Sequence, residues 1–461
     1  MKVLLVTVPM SERSYDSGSV SRPEPLALEY LGAGIRQNHD VKVVDMAVEG
    51  APSLKDVLAS YQPDIIGCGP VTAEVFPARE LFAEAKKLIP KILTVVGGHH
   101  ATVQPNDFFE ENIDVVLTGE GVHTFRKLCD AHEKGKGFAG IKNIYFRQDG
   151  KMAFTSKEEY PSLDSLPFPD RSLLSESRHH YTTHLLYKAM PMASVRSSVG
   201  CYYRCNFCAV SNMLNRKVHT RKIDGIIEEL STLEQPVILW VDDEFFLDTK
   251  RAVTIAREID KAGIRKNYLI CGRSDTIVNH PETIEEWAKI GLKYLFVGLE
   301  AFREEDLKKM QKSNTLAKNE ELVRIAHANG VKVRGLFIVQ PDFDRKDFKE
   351  LGQYARKLKI DIPTYSVSTP VPGTELYEEK KNDLMTHDYR LYDMMHTVLP
   401  TKLPLKKFYR EYSNLMFKRG ITFREKIKYF RQIDKEERMK FFRNGMNLYK
   451  KLRDAHKLYA D

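Results

Sequence analysis

Residues 201–208 read Cys201-Tyr-Tyr-Arg-Cys205-Asn-Phe-Cys208, a stretch that contains three of the six cysteines in the 461-residue chain. The spacing C-x-x-x-C-x-x-C can hold three irons of a 4Fe–4S cluster, because thiolates are the soft ligands that such clusters select. The fourth iron then has no protein ligand and is open for chemistry. The alternatives are a three-cysteine zinc site or cysteines packed in a turn, but structural zinc usually takes two pairs of ligands and no second pair is evident.

The cysteine motif resembles that of the radical S-adenosylmethionine (SAM) superfamily, including the aromatic Phe207 directly before the last cysteine. The resemblance implies that SAM chelates the open iron through its amino and carboxylate groups. It also implies that the sulfonium is held against the cluster, with apolar walls around the adenine.

Length and composition describe an ordinary globular chain with room for two or three domains. The hydrophobic fraction is 42% and the charged fraction is 29%, with no long apolar run that could span a bilayer. The first apolar run ends at Pro9 without a cleavage-type site, so it predicts a strand rather than a signal peptide. The few cysteines fit a reducing compartment, and the expected location is cytoplasmic.

Apolar runs alternate with helical segments through residues 1–135. The predicted strands are Lys2–Val8, Val41–Asp45, Asp64–Cys68, Ile92–Val96 and Val115–Leu117, with helices at Leu26–Arg36 and about Pro77–Leu88. This order predicts an α/β fold with a doubly wound, Rossmann-like parallel sheet and a ligand at the carboxyl ends of its strands. Glycine-rich turns at 67–70, 97–98 and 119–121 should meet at that edge, where glycine lets a backbone approach a large ligand. The G-x-G-x-x-G spacing of dinucleotide sites is absent after the first strand.

This region resembles the cobalamin-binding domain that precedes many radical SAM cores, above all in Gly-Gly-His-His-Ala-Thr and Thr-Gly-Glu-Gly. Other cobalamin domains supply an axial histidine from a D-x-H-x-x-G motif, which this chain lacks, so no histidine from that motif would bind the cobalt. The alternative is a sheet that has lost its ligand. The resemblance implies a cobalamin site formed by Gly69, Val71, Thr72, Gly97, Gly98, His99, His100, Thr118, Gly119, Glu120 and Gly121.

Residues 136–190 are predicted to be a linker, since Leu163–Arg171 has two prolines and no helical period. Residues 191–385 are predicted to form a partial (βα)6 barrel of the TIM type, whose active site lies at the C-terminal ends of its strands. Cys201 follows the first of these strands, which places the cluster on that rim. The six strands are Met192–Val199, Val237–Val241, Tyr268–Cys271, Tyr294–Gly298, Val333–Val339 and Thr364–Thr369.

Polar residues at the ends of the barrel strands are the candidates for SAM binding. Glu300 suits the ammonium group or the ribose hydroxyls and Arg273 suits the carboxylate, because charge-assisted hydrogen bonds favour these partners. Asp242 and Asp243 end another strand, where adjacent residues point to opposite faces. A buried salt bridge on the rim is the alternative for each of them. Gln340 and Thr369 also end barrel strands, although radical SAM relatives often have glycine where this chain has Gln340-Pro341, and the resemblance to these enzymes adds Phe207.

The tail, residues 386–461, is predicted to be helical and basic. Residues 402–461 contain 18 Lys and Arg against 7 Asp and Glu, a net charge of +11 in a chain of +8. An apolar stripe follows a helical period at Met439, Phe442, Met446, Tyr449 and Leu452. The stripe predicts either packing on the barrel or peripheral contact with an anionic membrane. Binding of nucleic acid is not favoured, because no RNA-binding module is recognisable.

The resemblance as a whole is to cobalamin-dependent (class B) radical SAM enzymes, and among them to hopanoid-methylase-like proteins. It implies a C-methyltransferase that uses a 5′-deoxyadenosyl radical to abstract a substrate hydrogen and methylcobalamin to donate the methyl group. The alternative keeps both cofactors but catalyses a non-methylating ring formation or rearrangement. The expected partners are a small-molecule or lipid-like substrate and a soluble electron donor of the flavodoxin or ferredoxin type.

Overall fold

The first domain is built on a parallel sheet. The computed structural model describes residues 1–15, 21–419, 431 and 433–459. Its first five strands, all parallel, are β1 (Lys2–Val6), β2 (Asp40–Val44), β3 (Ile65–Cys68), β4 (Leu93–Val96) and β5 (Val115–Leu117). Their order in the sheet is β2-β1-β3-β4-β5, so strands are added on one side of β1 and then on the other, and the strand order reverses between β1 and β3. A reversal of this kind makes the sheet doubly wound and opens a crevice beyond the strand ends.

Helices cover both faces of this sheet, as the continuous apolar strands require. One core lies against Leu4, Val6 and Ile66, and a second core on the opposite face contains Val3, Leu5 and Ile65. Alternate residues of each strand therefore enter different cores. The helices are α1 (Leu26–Ile35), α2 (Leu54–Tyr61), α3 (Val75–Leu88), α4 (Gly98–Val103) and α5 (Gly121–Glu133).

An antiparallel hairpin extends the first sheet beyond β5. Its strands are β6 (Ile144–Gln148) and β7 (Lys151–Phe154), which lie within the segment predicted as a linker. Asp149 and Gly150 form the turn with φ of 48° and 78°. This Asp-Gly pair is a two-residue hairpin signal that the prediction of a linker leaves unused.

The second domain is a curled half-barrel of seven strands in the order β16-β15-β14-β13-β12-β9-β8 when numbered along the chain. Six of them are parallel, as predicted, and β8 pairs antiparallel at the edge. The predicted first strand is divided, because Ser198–Val199 leaves the barrel and pairs with His219–Thr220 instead. The strands are β8 (Thr182–Thr183), β9 (Met190–Val195), β10 (Ser198–Val199), β11 (His219–Thr220), β12 (Val237–Trp240), β13 (Asn267–Gly272), β14 (Leu292–Glu300), β15 (Lys332–Val339) and β16 (Ile362–Val367).

Helices pack on the outside of the half-barrel against the alternate strand residues Val333, Phe337 and Val339. The intervening residues of β15 therefore face the lumen. The helices are α6 (Val210–Met213), α7 (Ile223–Thr232), α8 (Thr249–Lys261), α9 (Ser274–Asn279), α10 (Glu282–Ile290), α11 (Glu304–Lys309), α12 (Leu316–Ala328), α13 (Arg345–Lys357) and α14 (Glu375–Lys380).

Within its described residues, the C-terminal region adds two helices to the barrel, α15 (Leu405–Asn414) and α16 (Lys435–Asp454). Tyr409 and Tyr412 of α15 are fully buried in the barrel core, and the Tyr412 hydroxyl donates to the Tyr365 carbonyl at 2.7 Å. Residues 420–430, which carry part of the predicted basic tail, lie outside the described residues. In the described part of the chain, none of the helices is long and apolar enough to cross a membrane.

Candidate active site

The three motif cysteines lie on one loop, and the loop begins at a position that only glycine can occupy. Gly200 has φ of 100°, and a Cβ there would overlap the carbonyl oxygen of Lys217. The backbone then turns so that the Cys208 amide donates to the Cys205 carbonyl at 3.1 Å. Burial, with smaller contributions from the neighbouring Glu244 and Cys208, raises the pKa of the Cys201 thiol to about 11. Binding to iron would remove the proton from such a thiol.

Among the described residues, no three His, Cys, Asp or Glu side chains converge on a single ion position. The thiolates of a 4Fe–4S cluster bind three different irons and need no such convergence. Three thiols on one short, tightly turned loop therefore suit a cluster.

Two acids at the end of β12 hold the loop in place. Asp242 accepts hydrogen bonds from the Ser197 amide at 2.7 Å and from the Ser198 hydroxyl at 2.6 Å. Asp243 accepts from the Gly200 amide at 2.7 Å. Both adjacent carboxylates thus bind the backbone or hydroxyls that lead into the cysteine loop. These hydrogen bonds explain the position of the Asp242 carboxylate without SAM, so its contact with SAM stays a prediction.

Arg273 lies directly beside the cluster loop. Its guanidinium is 3.6 Å from the Cys205 sulfur, and it stacks 3.5 Å from the centre of the Tyr203 ring. Asp275 orients it through an ion pair of 2.9 Å. The side chain is 6% exposed, so its charge acts where the dielectric constant is low. A cation here can bind the carboxylate of SAM once that carboxylate chelates the open iron.

Glu300 ends β14 in a left-handed conformation with φ of 61°, which is uncommon for a residue other than glycine. Its carboxylate pairs with Lys312 at 2.7 Å, and both side chains are less than 10% exposed. Such backbone strain often persists at functional sites. Lys312 follows α11 rather than a strand. The search for polar residues at the ends of barrel strands, called here the strand-end rule, therefore does not find it.

Glu244 is a second residue that the sequence analysis misses, although it is the third acid of Asp242-Asp243-Glu244. It is 4% exposed, and burial raises its pKa to about 8. The nearby charges of Arg273 and Lys312 lower the pKa of Glu244, and the charge of Glu244 raises the pKa of Cys201. A buried carboxyl group with a perturbed pKa, two cations and a cluster ligand nearby is a candidate site residue.

The remaining predicted SAM contacts lie on the same rim. Phe207 packs against a cluster of Ala301, Leu307 and Met310 beyond the end of β14. Thr369 is 8% exposed and donates to the Val367 carbonyl at 3.0 Å. Gln340 follows β15, and its buried side-chain amide nitrogen has no hydrogen-bond partner among the residues that the structure describes. Their contacts with SAM stay predictions.

A cavity of about 1370 Å³ lies between the strand ends of the first sheet and barrel residues on either side of the cluster loop, such as Val199 and Asn212. It exceeds the roughly 300–1,000 Å³ that is usual for drug-sized ligands. Its wall on the barrel side includes Arg196 and Val199, just before Cys201. The predicted cobalamin residues that line it are Gly69, Val71, Gly97, Gly98, His99, Thr118, Gly119, Glu120 and Gly121.

The glycine turns meet at one edge of the sheet, as their positions predict. Gly98 has φ of 83°, and a Cβ there would lie 3.1 Å from the Gly69 Cα, so the two turns touch through their backbones. The cavity continues between the sheet and the helices past Leu5, Gly67 and Phe125. A large, mostly apolar chamber with glycine walls fits a corrinoid.

The two adjacent histidines differ in their surroundings. His100 is buried, with Nδ1 bonded to the Thr72 hydroxyl at 3.0 Å and Nε2 bonded to Asp107 at 2.8 Å. His100 and Thr72 therefore bind each other rather than facing the cavity. His99 lines the cavity, and burial lowers the pKa of its imidazole.

A polar cluster in the cavity wall joins the two domains. Arg196 pairs with Glu120 at 3.4 Å and lies 4.8 Å from the centre of the Tyr30 ring. Tyr160 donates to the same Glu120 carboxylate at 3.1 Å. The strand-end rule would find Arg196 if the first barrel strand were ended at Val195, where it ends in the structure.

Two family matches agree with this division of the chain. The B12 binding domain matches residues 19–129, and the Radical SAM superfamily matches residues 195–355. Hopanoid C-3 methylase of Methylococcus capsulatus is 33% identical over 399 residues, which cover 85% of this chain and 75% of that protein. An uncharacterized methyltransferase of Pyrococcus horikoshii is 30% identical over 442 residues, 92% of each chain.

A solved structure has the same fold. The radical SAM methyltransferase TsrM of Kitasatospora setae, with cobalamin and a 4Fe–4S cluster bound, is 18% identical and covers 83% of this chain and 74% of its own, with a TM-score of 0.65.

Together with the site, these similarities define a cobalamin-dependent radical SAM enzyme. The chain belongs to the methyltransferases of that family, and its cofactors are a 4Fe–4S cluster, SAM and cobalamin. The expectation of methylation is thereby favoured over ring formation or rearrangement.

Proposed function

We propose that the enzyme methylates an unactivated carbon of a largely apolar, polycyclic or lipid-like small molecule. The observation that carries the proposal is the shared position of the two cofactor sites. The cavity of the first domain ends at Arg196 and Val199, which lead directly into the cysteine loop. When bound, the cofactors supply a 5′-deoxyadenosyl radical and a transferable methyl group, while the protein supplies placement and electrostatics.

The residues of the chain divide this work between the two domains. Cys201, Cys205 and Cys208 would hold the cluster, Arg273 would orient the carboxylate of SAM, and Glu300 would bind its ammonium group or ribose hydroxyls. Arg273 and Glu300 are buried, which excludes water and protects a radical from side reactions.

The barrel lumen supports the apolar part of the substrate. Val241 follows β12 and is 37% exposed in the described structure. Phe296 and Leu336 lie on the lumen face of β14 and β15 and are partly exposed. The lining also has polar groups, because the Arg334 guanidinium donates to the Thr364 hydroxyl at 3.0 Å and lies 5.5 Å from the Phe296 ring centre. A largely apolar molecule with a few hydrogen-bonding groups suits this lining, and the similarity to a hopanoid methylase supports the same substrate class.

The test supplies reconstituted enzyme with SAM that carries a deuterated methyl group, together with either an organic-phase lipid extract or an aqueous metabolite extract. We expect carbon-bound label in the lipid fraction only. Val241→Glu should abolish that labelling while 5′-deoxyadenosine still forms, because a charge in the lumen disfavours an apolar substrate without touching the cluster. Label confined to the aqueous fraction would contradict the proposed substrate class.

The tail helix supports a second proposal, peripheral contact with an anionic membrane. Met439, Phe442 and Met446 share one face of α16 and are 71%, 56% and 41% exposed. The same helix exposes Lys435 and Arg443. An apolar strip on a basic helix is the arrangement that lies in the interface of an anionic bilayer. Such contact would let a lipid-like substrate enter from the bilayer.

Vesicle flotation tests this second proposal. We expect salt-sensitive binding to vesicles that contain phosphatidylserine, and loss of binding in the double variant Phe442→Ser, Met446→Ser. Leu88→Ser is the matched control, since Leu88 is 42% exposed but lies in the first domain. Equal binding by the double variant would show that the strip makes no membrane contact.

The electron donor is proposed to be an acidic protein of the flavodoxin or ferredoxin type. Arg204 on the cysteine loop and Lys217 close to it are exposed and basic. Opposite charges steer such encounters, so cluster reduction should slow with added salt and with Arg204→Glu. If neither added salt nor Arg204→Glu changes the rate of cluster reduction, the donor does not bind at this basic surface.

A further inference from the structure

Six charged side chains lie buried where the first domain, the connecting segment and the barrel meet. The three carboxylates are at most 1% exposed, and the three guanidiniums are between 6% and 20% exposed. Burying charges costs more than most ion pairs return, so such a network is weak evidence for stability alone. We call these residues the interdomain charge network: Glu24, Glu29, Arg171, Arg178, Arg221 and Glu229.

Arg171 is the centre of the interdomain charge network. Its Nε lies 3.2 Å from Glu24, which precedes α1, and its Nη2 lies 2.8 Å from Glu229 of α7. The same Nη2 donates to the Ser194 carbonyl of β9 at 2.6 Å. One planar guanidinium thus binds the first domain and two elements of the barrel at once, which suits arginine more than lysine.

Four further contacts, made by Glu24 and Arg221, complete the network around the end of the same strand. Glu24 accepts from the Ser194 amide at 2.7 Å and also pairs with Arg178. Arg221 pairs with Glu229, and it donates to the Arg196 carbonyl at 3.0 Å. The end of β9 is therefore held from both sides by charged groups.

The elements tied together here lead directly to the two cofactor sites. Glu24 is followed by Pro25 and by the α1 residues Leu26, Ala27, Leu28 and Tyr30, which line the cavity. Ser194 and Arg196 precede the loop that begins at Gly200 and carries Cys201. A shift at the network would therefore change the distance between the corrinoid cavity and the cluster.

We propose that the interdomain charge network sets the spacing between the cobalamin and the 4Fe–4S cluster, with Arg171 as its central positioning residue. Placement errors of about 1 Å can cost roughly a hundredfold in rate, so a reaction that uses both cofactors needs a fixed separation. Apolar packing lets two domains slide against each other, whereas a guanidinium that bridges two carboxylates through directional hydrogen bonds fixes their relative position.

The test measures the separation itself and needs no substrate. The holoenzyme is prepared with its cluster reduced and with cob(II)alamin, and pulsed dipolar electron paramagnetic resonance gives the distribution of distances between the two spins. Arg171→Lys keeps the charge but removes the fork that reaches three partners. Arg178→Lys, at the more exposed edge of the network, is the second variant in case the first folds poorly.

Arg303→Lys is the matched control. Arg303 also bridges two carboxylates, Asp347 and Glu350, but all three residues belong to the barrel. Unfolding in urea is followed for all variants, because a purely structural network would lower stability in each of them without changing the distance distribution.

We expect one narrow distance peak in the native enzyme and in Arg303→Lys, and loss of that single peak in Arg171→Lys or Arg178→Lys. An unchanged narrow peak in both network variants would overturn the proposal. Equal broadening in Arg303→Lys would also overturn it, since the effect would then not belong to the interdomain contacts.

Discussion

Substitution of Gly98 by alanine tests whether the touching glycine turns shape the corrinoid cavity. Gly98 has φ of 83°, and the added Cβ would lie 3.1 Å from the Cα and 3.2 Å from the carbonyl carbon of Gly69. Both are backbone atoms, so no side chain can rotate away. Gly50 has a similar φ of 78° but nothing within 4 Å of an added Cβ, which makes Gly50→Ala a control for conformational strain.

The two variants separate two energies. A non-glycine residue in the left-handed region lowers the free energy of unfolding by about 1–2 kcal/mol, and this loss applies to both variants. Overpacking against a backbone costs about 1–3 kcal/mol more, and only Gly98→Ala has it. If that excess is relieved by moving the turns apart, the cavity edge changes shape. A loss of about 1.4 kcal/mol in binding would weaken cobalamin affinity about tenfold.

Absorbance titration with hydroxocobalamin and unfolding in urea measure these effects. We expect Gly98→Ala to be less stable than Gly50→Ala and to bind cobalamin about tenfold more weakly, while Gly50→Ala binds like the native protein. Equal affinity and equal stability of the two variants would refute the idea that close approach of the turns defines the cavity.

Three other predictions use different parts of the site. Alanine at any of the three loop cysteines should abolish cluster absorbance and reductive cleavage of SAM, whereas Cys129→Ala and Cys271→Ala should keep both; full cleavage by a loop variant would contradict this. The cob(II)alamin spectrum should show no nitrogen superhyperfine splitting, and His99→Ala should leave it unchanged, whereas a nitrogen triplet that disappears in His99→Ala would indicate histidine ligation. Burial raises the pKa of Glu74 from 4.5 to about 7. Neutral Glu74 therefore stabilises the fold below pH 4.5, and this stability is lost as the pH rises through about 7. Glu74→Gln should flatten the fall in unfolding free energy over that range, and an unchanged slope in urea titrations would contradict it.

The strands of both domains could be predicted from the sequence because their apolar runs are continuous and alternate with helices. Val115–Leu117 is reproduced to the residue, and the other strand ends differ by a few residues. The division after Val195 escapes prediction, since Ser198 and Val199 look like further strand but pair with another segment. Register against a distant partner is not written into a local pattern.

The partners of a side chain could be predicted only where the chemistry of the residue and its position at the end of a strand both indicate the same site. Arg273 follows a strand, and the structure places it beside Cys205. Glu244 and Lys312 do not follow the strand-end rule, and their proximity comes from the closure of the half-barrel. The interdomain charge network joins residues up to 205 positions apart, from Glu24 to Glu229, and charged residues at such separations give no sequence signal.

The tail shows why a periodic stripe cannot say which part of a helix is covered. Leu452 at the end of α16 is fully buried, and Tyr459 beyond it donates to the Thr397 carbonyl at 2.8 Å. Phe442, two turns and more before Leu452, is 56% exposed. The same stripe therefore packs on the barrel at one end and faces solvent at the other. Deleting the tail would uncover the core around α15 as well as remove the exposed strip, so only substitutions confined to the strip can separate membrane contact from folding.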